Sequence, residues 1–271
     1  MSGSRSAPQC NPMNLSHPAT LSNNDIESLE RATLAAVSPE AVEELEGWLL
    51  PFDSGTVGRA RSAVPMSHTT SHPVTHETLV ARIEARYTER GMKPMFRVAT
   101  AACFDIFRQE LTRRGYVAGK PTLVQTGSAR TMRQVATQPV ADISDAPDAA
   151  WAALFLGEGF DPVDGASRVK SLSRAQGSVY ASLRESGQTV AAGAGSYSNG
   201  WASVHGMRTD QAHRGRGLAG RVLAALADEA ARRDLDRTFL QVEANNLAAQ
   251  ALYRRAGFTT AWAYEYWSFE A

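Results

Sequence analysis

The segment His213-Arg-Gly-Arg-Gly-Leu-Ala-Gly220 constrains the fold more than any other part of the chain, because three glycines and two arginines directly precede a strong helical pattern. The apolar residues of that pattern recur at helical spacing: Leu218, Val222, Leu223, Leu226 and Ala230. The first N–H groups of a helix have no partner inside it, and with the helix dipole they form an anion site. The segment therefore predicts a phosphate site, with a glycine-rich turn of solvated arginines as the structural alternative.

The glycine spacing also fits a dinucleotide fingerprint, Gly215-x-Gly217-x-x-Gly220, with Glu243 at the distance expected of a ribose-binding carboxylate. A polar lead-in separates these glycines from the preceding strand, and too few residues follow Glu243 to complete such a domain. Dinucleotide binding is therefore the less favoured hypothesis. A P-loop is excluded, because Gly119-Lys120 is followed by Pro121.

Alternating helices and strands predict a mixed α/β protein on both sides of residue 126. Before it, we expect helices at 24–37, 42–49, 75–91 and 104–115, and strands at 94–98 and 121–125. After it, we expect strands at 140–143, 179–183, 190–197, 202–207, 239–242 and 263–267, helices at 149–156, 218–230 and 247–256, and a mobile connection at 161–177. Ser186-Gly187 and Asn199-Gly200 predict hairpin turns between the central strands.

Composition divides the chain into a leader rich in Ser, Pro and Asn at 1–22, an N-terminal domain at 23–126 and a C-terminal domain at 127–271. The leader has no apolar centre, so we expect disorder there instead of a secretory signal, and the cytoplasm as the location. Residues 111–116 and 252–258 both end a helix at glycine and continue with an aromatic residue. Either the fold is duplicated, or a common helix-to-strand connection has arisen twice.

Two motifs in the C-terminal domain resemble those of the GNAT superfamily of N-acetyltransferases. Arg214-x-x-Gly217-x-Ala219 is similar to the superfamily's acyl-CoA pyrophosphate motif. Asn246-Leu-Ala-Ala249-Gln-Ala-Leu252-Tyr253-Arg-Arg-Ala-Gly257-Phe258 is similar to its second conserved block. The resemblance implies a tandem GNAT-like fold, with a mostly antiparallel twisted sheet flanked by helices, and acetyl-CoA as the cosubstrate.

The resemblance also implies roles for individual residues. The backbone of 216–220 would cradle the pyrophosphate, the Met207 N–H would face the thioester carbonyl as an oxyanion donor, and Asn246 would lie near the pantetheine. Tyr253 would protonate the leaving thiolate, with a purely structural core aromatic as the alternative. The implied coenzyme-binding set is Met207, Arg208, Thr209, Arg214, Gly215, Arg216, Gly217, Leu218, Ala219, Gly220, Asn246 and Tyr253.

The general base has more than one candidate. Glu243 and His205 fall on the two strands that splay apart at the active site of this superfamily, and Asp210 is a weaker candidate. The structural alternatives are a solvated carboxylate at a strand end for Glu243 and a hydrogen-bonded edge histidine for His205. The choice between them stays open at this point.

The N-terminal domain is expected to be a degenerate copy that does not bind the coenzyme. Leu111 stands where Tyr253 stands in the second copy, and no Arg-x-x-Gly-x-Gly/Ala loop occurs before residue 126. Residues 29–126 resemble the N-terminal region of two-part bacterial acetyltransferases, except that Arg61 replaces a usual asparagine. The match lies at 44–48, 59–62 and 114–116. We expect this domain to cover the substrate side of the catalytic domain.

Charge and side-chain spacing argue against several classes of partner. Lys+Arg and Asp+Glu both number 28, so the neutral chain has no electrostatic case for binding nucleic acid or an anionic membrane. His68, His72 and His76 are spaced by four, but Pro73 interrupts any helix that would align them. We therefore expect a solvated loop at these histidines and no metal.

These features together predict an acyltransferase that moves an acetyl group from acetyl-CoA to the primary amine of a small molecule, such as an amino acid or amine metabolite, by direct attack. The alternatives are an acetyltransferase acting on peptide or protein amines, a non-catalytic acyl-CoA sensor that would not need Tyr253, and a scaffold without a cofactor. A homodimer is left open. Large aromatic residues could line an acceptor pocket, although we expect most of them in the core: Trp151, Phe155, Phe160 and Trp201.

Overall fold

The computed structural model describes residues 21–69, 74–138, 140–157, 159 and 161–269, and it has the mixed α/β architecture that the sequence predicts. Its helices are α1 (Asn23–Val37), α2 (His76–Thr88), α3 (Asp105–Arg113), α4 (Ala129–Arg133), α5 (Ala149–Ala153), α6 (Pro162–Arg174), α7 (Leu218–Arg232) and α8 (Leu247–Arg255). Its strands are β1 (Ala41–Leu45), β2 (Trp48–Phe52), β3 (Val64–Pro65), β4 (Phe96–Ala99), β5 (Val117–Ser128), β6 (Asp142–Ser144), β7 (Val179–Glu185), β8 (Gln188–Ser198), β9 (Trp201–Thr209), β10 (Arg237–Glu243) and β11 (Thr259–Ser268). Within these ranges no helix is long and apolar enough to cross a bilayer.

The large sheet has the strand order β4-β11-β5-β10-β9-β8-β7-β6, and β1, β2 and β3 form a small separate sheet. Among the described strands of the large sheet, β9 and β10 pair in parallel and the other neighbours are antiparallel. The C-terminal strand β11 inserts between β4 and β5. The two parts of the chain therefore share one sheet. Residue 126 falls inside β5, and the division at 126/127 into separate domains stays a prediction.

Side chains alternate between the two faces of the large sheet, and a different helix covers each face. On one face, α7 covers a cluster that includes Val204 and Leu240. On the other face, Leu29 of α1 packs against Trp201 and Phe239. Because neighbouring residues on a strand point to opposite faces, the ends of β9 and β10 supply side chains to both sides of the sheet.

A buried polar network locks α1 to its face of the sheet. Arg97 of β4 donates to both carboxylate oxygens of Glu30 at 3.1 and 2.6 Å, and neither side chain is more than 2% exposed. Burial alone would lower the pKa of Arg97, but the Glu30 carboxylate raises it above its ordinary value, so the pair stays charged. Tyr264 donates to Gln241 at 2.8 Å, and the Gln241 amide donates to Thr33 of α1 at 3.0 Å. These bonds hold α1, β4, β10 and β11 together.

The two segments of the faint sequence repeat adopt the same geometry. The N–H of Tyr116 donates to the Leu111 carbonyl, and the N–H of Phe258 donates to the Tyr253 carbonyl, both at 3.0 Å. The intervening glycines have φ values of 87° and 86°, as glycine-ended helices require. The strands that follow, β5 and β11, are antiparallel neighbours. Leu111 therefore does occupy the position in α3 that Tyr253 occupies in α8.

The predicted helix at 42–49 is wrong, because β1 and β2 form an antiparallel hairpin there. Glu46 and Gly47 have φ values of 50° and 82°, as a two-residue hairpin turn requires. Every residue of β2 is buried. A fully buried strand gives an unbroken apolar run, which spacing alone does not distinguish from a buried helix.

The predicted mobile connection at 161–177 is also wrong, because it contains α6. Asp161 caps this helix by accepting from the Asp164 N–H at 2.8 Å, and Pro162 occupies its first position. The Ser171 hydroxyl donates to the Val37 carbonyl at the end of α1. Polar contacts thus anchor a helix that has few apolar residues.

The predicted solvated loop is wrong for His68. Its ring lies edge-on to the rings of Phe104 and Trp262, with centroids 5.5 and 5.1 Å away. Burial lowers the pKa of His68 to about 4, so the ring is neutral at physiological pH. His76 begins α2, and His72 lies outside the described residues. No group of three or more metal-ligating side chains occurs in the part of the chain that the structure describes.

Candidate active site

The parallel strands β9 and β10 pair only over their first halves, which leaves a gap between their C-terminal ends. Their ladder joins 202–204 to 238–240, and the described residues beyond it are not paired across the two strands. A bulge in β9 explains the divergence: Ala192 of β8 faces Arg208, whereas Ala194 faces His205. Residues 206 and 207 thus oppose a single residue of β8, which bends β9 away. An extended ligand can pair with the freed backbone.

Gly206 makes this bulge sterically feasible. Its φ is 58°, and a Cβ there would lie 2.7 Å from Leu172 Cδ1 and 3.3 Å from Phe155 Cζ. We expect Gly206→Ala to lower the free energy of unfolding by about 1–3 kcal/mol, measured by urea denaturation. The alanine would be strained at this positive φ, and its Cβ would also clash with Leu172. Gly200→Ala is the matched control, since Gly200 has φ 76° and no described atom lies within 4 Å of the position that its Cβ would take. Equal losses in the two variants would contradict a packing role for Gly206.

The predicted phosphate loop lies beside this gap. Gly217 is the N-terminal cap residue of α7 with φ 74°, and no described side chain caps this end of the helix. The first helical bonds run from the N–H groups of Gly220 and Arg221 to the Gly217 carbonyl, at 3.1 and 3.4 Å. The N–H groups of Leu218 and Ala219 precede them and point out of the helix start. If Gly215 or Gly217 carried a Cβ atom, no described atom outside its immediate chain neighbours would lie within 4 Å of it. The space in front of this backbone is therefore open to an anion.

The two arginines of the loop hold it in position. Arg216 makes a two-pronged ion pair with Glu185 at the end of β7, with N–O distances of 3.0 and 2.7 Å. These hydrogen bonds lower the pKa of the Glu185 carboxyl. Arg214 donates through Nε to the Thr209 carbonyl at 3.3 Å. These contacts tie the loop to β7 and β9.

Asp210 is occupied by a neighbour. Its carboxylate lies 2.5 Å from His213 Nδ1 and also accepts from the Ala212 N–H at 3.1 Å. The hydrogen bond from His213 lowers the pKa of Asp210. A carboxylate bound in this way is a poor proton acceptor, which argues against Asp210 as the base.

Tyr253 on α8 lies on the α7 face of the sheet, in the core cluster of Val242 and Phe258. Its side chain is 7% exposed, and among the described residues its hydroxyl has no hydrogen-bond partner. Burial raises the pKa of Tyr253 to about 12, although the nearby Arg208 cation lowers it in part. The hydroxyl is therefore protonated at neutral pH and free to donate to a ligand.

Asn246 has a structural contact that the resemblance did not imply. Its side-chain oxygen accepts from the Ala249 N–H at 3.1 Å and so caps α8, the helix that carries Tyr253. The proximity of Asn246 to the pantetheine stays a prediction.

The two candidate bases lie in different environments on the α1 face. His205 is buried, its Nε2 lies 2.8 Å from the Ser203 hydroxyl, and its Nδ1 has no described partner. Burial, and secondarily the Arg59 cation, hold the pKa of His205 well below its ordinary value. Glu243 is exposed at the end of β10 and has no ion pair among the described residues. Glu243 is therefore the better placed proton acceptor.

A cavity of about 450 Å³ lies on the α1 face, at the same end of the sheet as the gap. Glu243 contributes to its wall. Other lining residues were not predicted from the sequence: Arg59, Lys120, Arg168, Gln241, Tyr264 and Tyr266. Gln241 lies two residues before Glu243, so strand periodicity alone could have identified it. The others come from distant segments, which no local pattern connects.

The aromatic residues suggested for an acceptor pocket do not line this cavity. Trp151, Phe155 and Trp201 are each at most 2% exposed and belong to the core. Phe160 lies outside the described residues. The cavity is instead lined by tyrosine, glutamine and charged side chains together with smaller apolar ones such as Val57 and Met95.

Comparisons with known proteins give the family and the fold of the chain. The family model described as "Probable histone acetyltransferase Rv0428c C-terminal" matches residues 23–267. A GCN5-related N-acetyltransferase from Kribbella flavida has a similar structure, with a TM-score of 0.66 and 13% identity over 91% of this chain and 96% of that one. A second, from Sphaerobacter thermophilus, has a TM-score of 0.56 and 16% identity over 92% and 93%. A tandem GNAT protein from the clavulanic acid biosynthesis pathway has a TM-score of 0.55 and 12% identity over 91% and 96%. No curated protein matches the chain in sequence.

Proposed function

The chain belongs to the Rv0428c C-terminal acetyltransferase family of the GNAT superfamily, and from this premise we propose that it transfers an acetyl group from acetyl-CoA to the primary amine of a small molecule. The observation that carries the proposal is the gap between β9 and β10, which has the uncapped start of α7 at one side and the Glu243 cavity at the other. Such a gap suits a long cosubstrate whose phosphates and acyl group are bound at different places.

The proposed reaction uses side chains from both faces of the sheet. The amine nitrogen attacks the thioester carbonyl carbon, the C–S bond breaks, and the thiolate takes a proton from Tyr253 while the amine gives one to Glu243. Val242 lies in the cluster of Tyr253, and Glu243 faces the cavity. Val242 and Glu243 are consecutive residues of β10 and point to opposite faces of the sheet. Tyr253, which packs near Val242, therefore lies on the face opposite to Glu243, and the acid and the base do not exchange a proton directly. After CoA has left the gap, solvent returns a proton to Tyr253 and takes the proton that Glu243 accepted.

The size of the cavity favours a small acceptor. About 450 Å³ lies within the range of about 300–1,000 Å³ typical of small-molecule sites. The family description names a histone acetyltransferase, so the side-chain amine of a protein lysine is the second candidate.

Two measurements test the proposal. Isothermal titration should give saturable one-to-one binding of acetyl-CoA, and a thiol-release assay should then detect CoA formation with a panel of small amines. Absence of acetyl-CoA binding would refute the transferase function. Turnover of lysine-containing peptides but of none of the small amines would favour the second candidate instead.

We expect Glu243→Gln to lower kcat by about 10²-fold, the low end of what a positioned base contributes, because water in the open cavity can partly replace it. Binding of acetyl-CoA should not change. Glu265→Gln is the matched control, since Glu265 is a β11 residue between Tyr264 and Tyr266 that does not line the cavity. Steady-state thiol release measures both variants, and unchanged kcat in Glu243→Gln would remove Glu243 from the mechanism.

A further inference from the structure

We infer that the acceptor carries an anionic group, such as a carboxylate, and that Arg59 binds this group. The inference rests on the proposed function, because it concerns the acceptor side of the same site. It narrows the acceptor from primary amines in general to amines that also carry a negative charge a few ångströms away.

Arg59 is a half-buried cation without a compensating charge. It lines the cavity, and in the described ranges its guanidinium has neither an ion pair nor a hydrogen bond. Arg168, which lines the same cavity, is paired with Asp164 at 2.5 Å. A partly desolvated guanidinium without a partner is costly. An anionic ligand would remove that cost when it binds.

The backbone that carries Arg59 is firmly placed. Arg59 lies in the short 3₁₀ turn Gly58–Ala60, and a Cβ on Gly58 would lie 2.8 Å from the Tyr266 ring. Arg59 is also close enough to the Tyr264 hydroxyl and the His205 ring to act on both electrostatically. Both of those groups are uncharged at neutral pH, because burial raises the pKa of Tyr264 and lowers that of His205. Neither can neutralise the guanidinium.

Glu243, which has no ion pair among the described residues, supplies a charge of the opposite sign at a different place in the cavity wall. Gln241 accepts from the hydroxyl of Tyr264, the tyrosine on which Arg59 acts electrostatically, and all three residues line the cavity. Glu243 lies two residues further along β10 on the same face, about 7 Å away by strand geometry. An amine directed at Glu243 and a carboxylate directed at Arg59 therefore fit one molecule of amino-acid size.

The charges of the cavity disfavour a basic peptide. Arg59, Arg168 and the exposed Lys120 contribute three cations, against the carboxylates of Asp164 and Glu243. A lysine-rich segment would add positive charge beside an uncompensated guanidinium, whereas an anionic amine balances it.

The test compares α-amino acids with their α-carboxamides as acceptors in the thiol-release assay. We expect the wild type to prefer the acids, and Arg59→Met to lower kcat/KM for the acids by about 10- to 100-fold through KM, with the amides unaffected. For the acids, the kcat/KM of Arg59→Lys should lie between that of the wild type and that of Arg59→Met, because lysine keeps the charge but not the planar guanidinium. Arg130→Met, outside the cavity, is the control. Equal turnover of acids and amides by the wild type, or equal losses for both in Arg59→Met, would overturn the inference.

A second arm needs no coenzyme. Isothermal titration of N-acetyl amino acids and N-acetyl amino amides should show tighter binding of the acids to the wild type, and loss of that difference in Arg59→Met. Acid-selective binding without any binding of acetyl-CoA would refute the proposed function and support the anion site. Binding of acetyl-CoA without acid selectivity would refute the anion site alone.

Discussion

We expect Tyr253→Phe to lower kcat by about 10²–10⁴-fold, the range typical of a positioned acid or base, and to leave the affinity for acetyl-CoA nearly unchanged. The substitution removes only the hydroxyl, while the ring keeps its packing in the cluster of Val242 and Phe258. The side chain is 7% exposed, so water cannot readily donate the proton in its place. Thiol-release kinetics and isothermal titration of acetyl-CoA measure the two quantities.

Tyr197→Phe provides the matched control for this variant. The Tyr197 hydroxyl donates to the Leu226 carbonyl at 3.1 Å, away from the cavity. Its loss should cost about 1 kcal/mol of stability and leave kcat unchanged. A Tyr253→Phe enzyme with normal kcat would instead support the sensor hypothesis, in which the chain binds acyl-CoA without catalysis.

The pH dependence of the wild type gives an independent check on Tyr253. Because burial raises its pKa to about 12, the hydroxyl keeps its proton throughout the physiological range. Any fall of kcat between pH 8 and 10 must then come from another group, and that fall should persist in the residual activity of Tyr253→Phe.

Local patterns predicted those parts of the fold where neighbouring residues determine the structure. The start of α7, the turn at Asn199-Gly200 and the glycine ends of α3 and α8 all depend on a few consecutive residues. The hairpin at 42–49 and helix α6 were missed for a different reason. β2 is buried by tertiary packing, and α6 is held by polar contacts such as that of Ser171 with Val37. Both the burial of β2 and the bond between Ser171 and Val37 join residues that are far apart in the chain, so a short stretch of sequence does not predict them.

The candidate site divides in the same way. The predicted phosphate loop and Tyr253 lie in contiguous motifs, so the sequence alone was sufficient to propose them as site residues. The cavity instead brings together Arg59, Gln241 and Tyr264, which are far apart in the chain. They meet only because β11 inserts beside β5 and α1 covers the same face. Sheet order of this kind depends on long-range pairing that residue spacing does not encode.

We expect Gly217→Glu to weaken acetyl-CoA binding by about 10²–10⁴-fold, the equivalent of losing one or two hydrogen bonds to a charged group. Gly217 has φ 74°, where a residue with a Cβ is strained, and its Cβ position faces open space at the start of α7. The new carboxylate would therefore not disturb the core. It would instead occupy the approach of the pyrophosphate and repel it.

Gly200→Glu separates these effects from a general loss of stability. Gly200 has φ 76° and equally open surroundings, but it lies in the turn between β8 and β9, away from α7. Both variants introduce the same strain and the same charge, so they should lose similar free energy of unfolding in urea, and only Gly217→Glu should lose acetyl-CoA in isothermal titration. Gly217→Ala, which adds strain without charge, should fall between the wild type and Gly217→Glu. If Gly217→Glu binds acetyl-CoA as tightly as Gly200→Glu does, the start of α7 is not the pyrophosphate site, and the coenzyme must be sought elsewhere along the gap between β9 and β10.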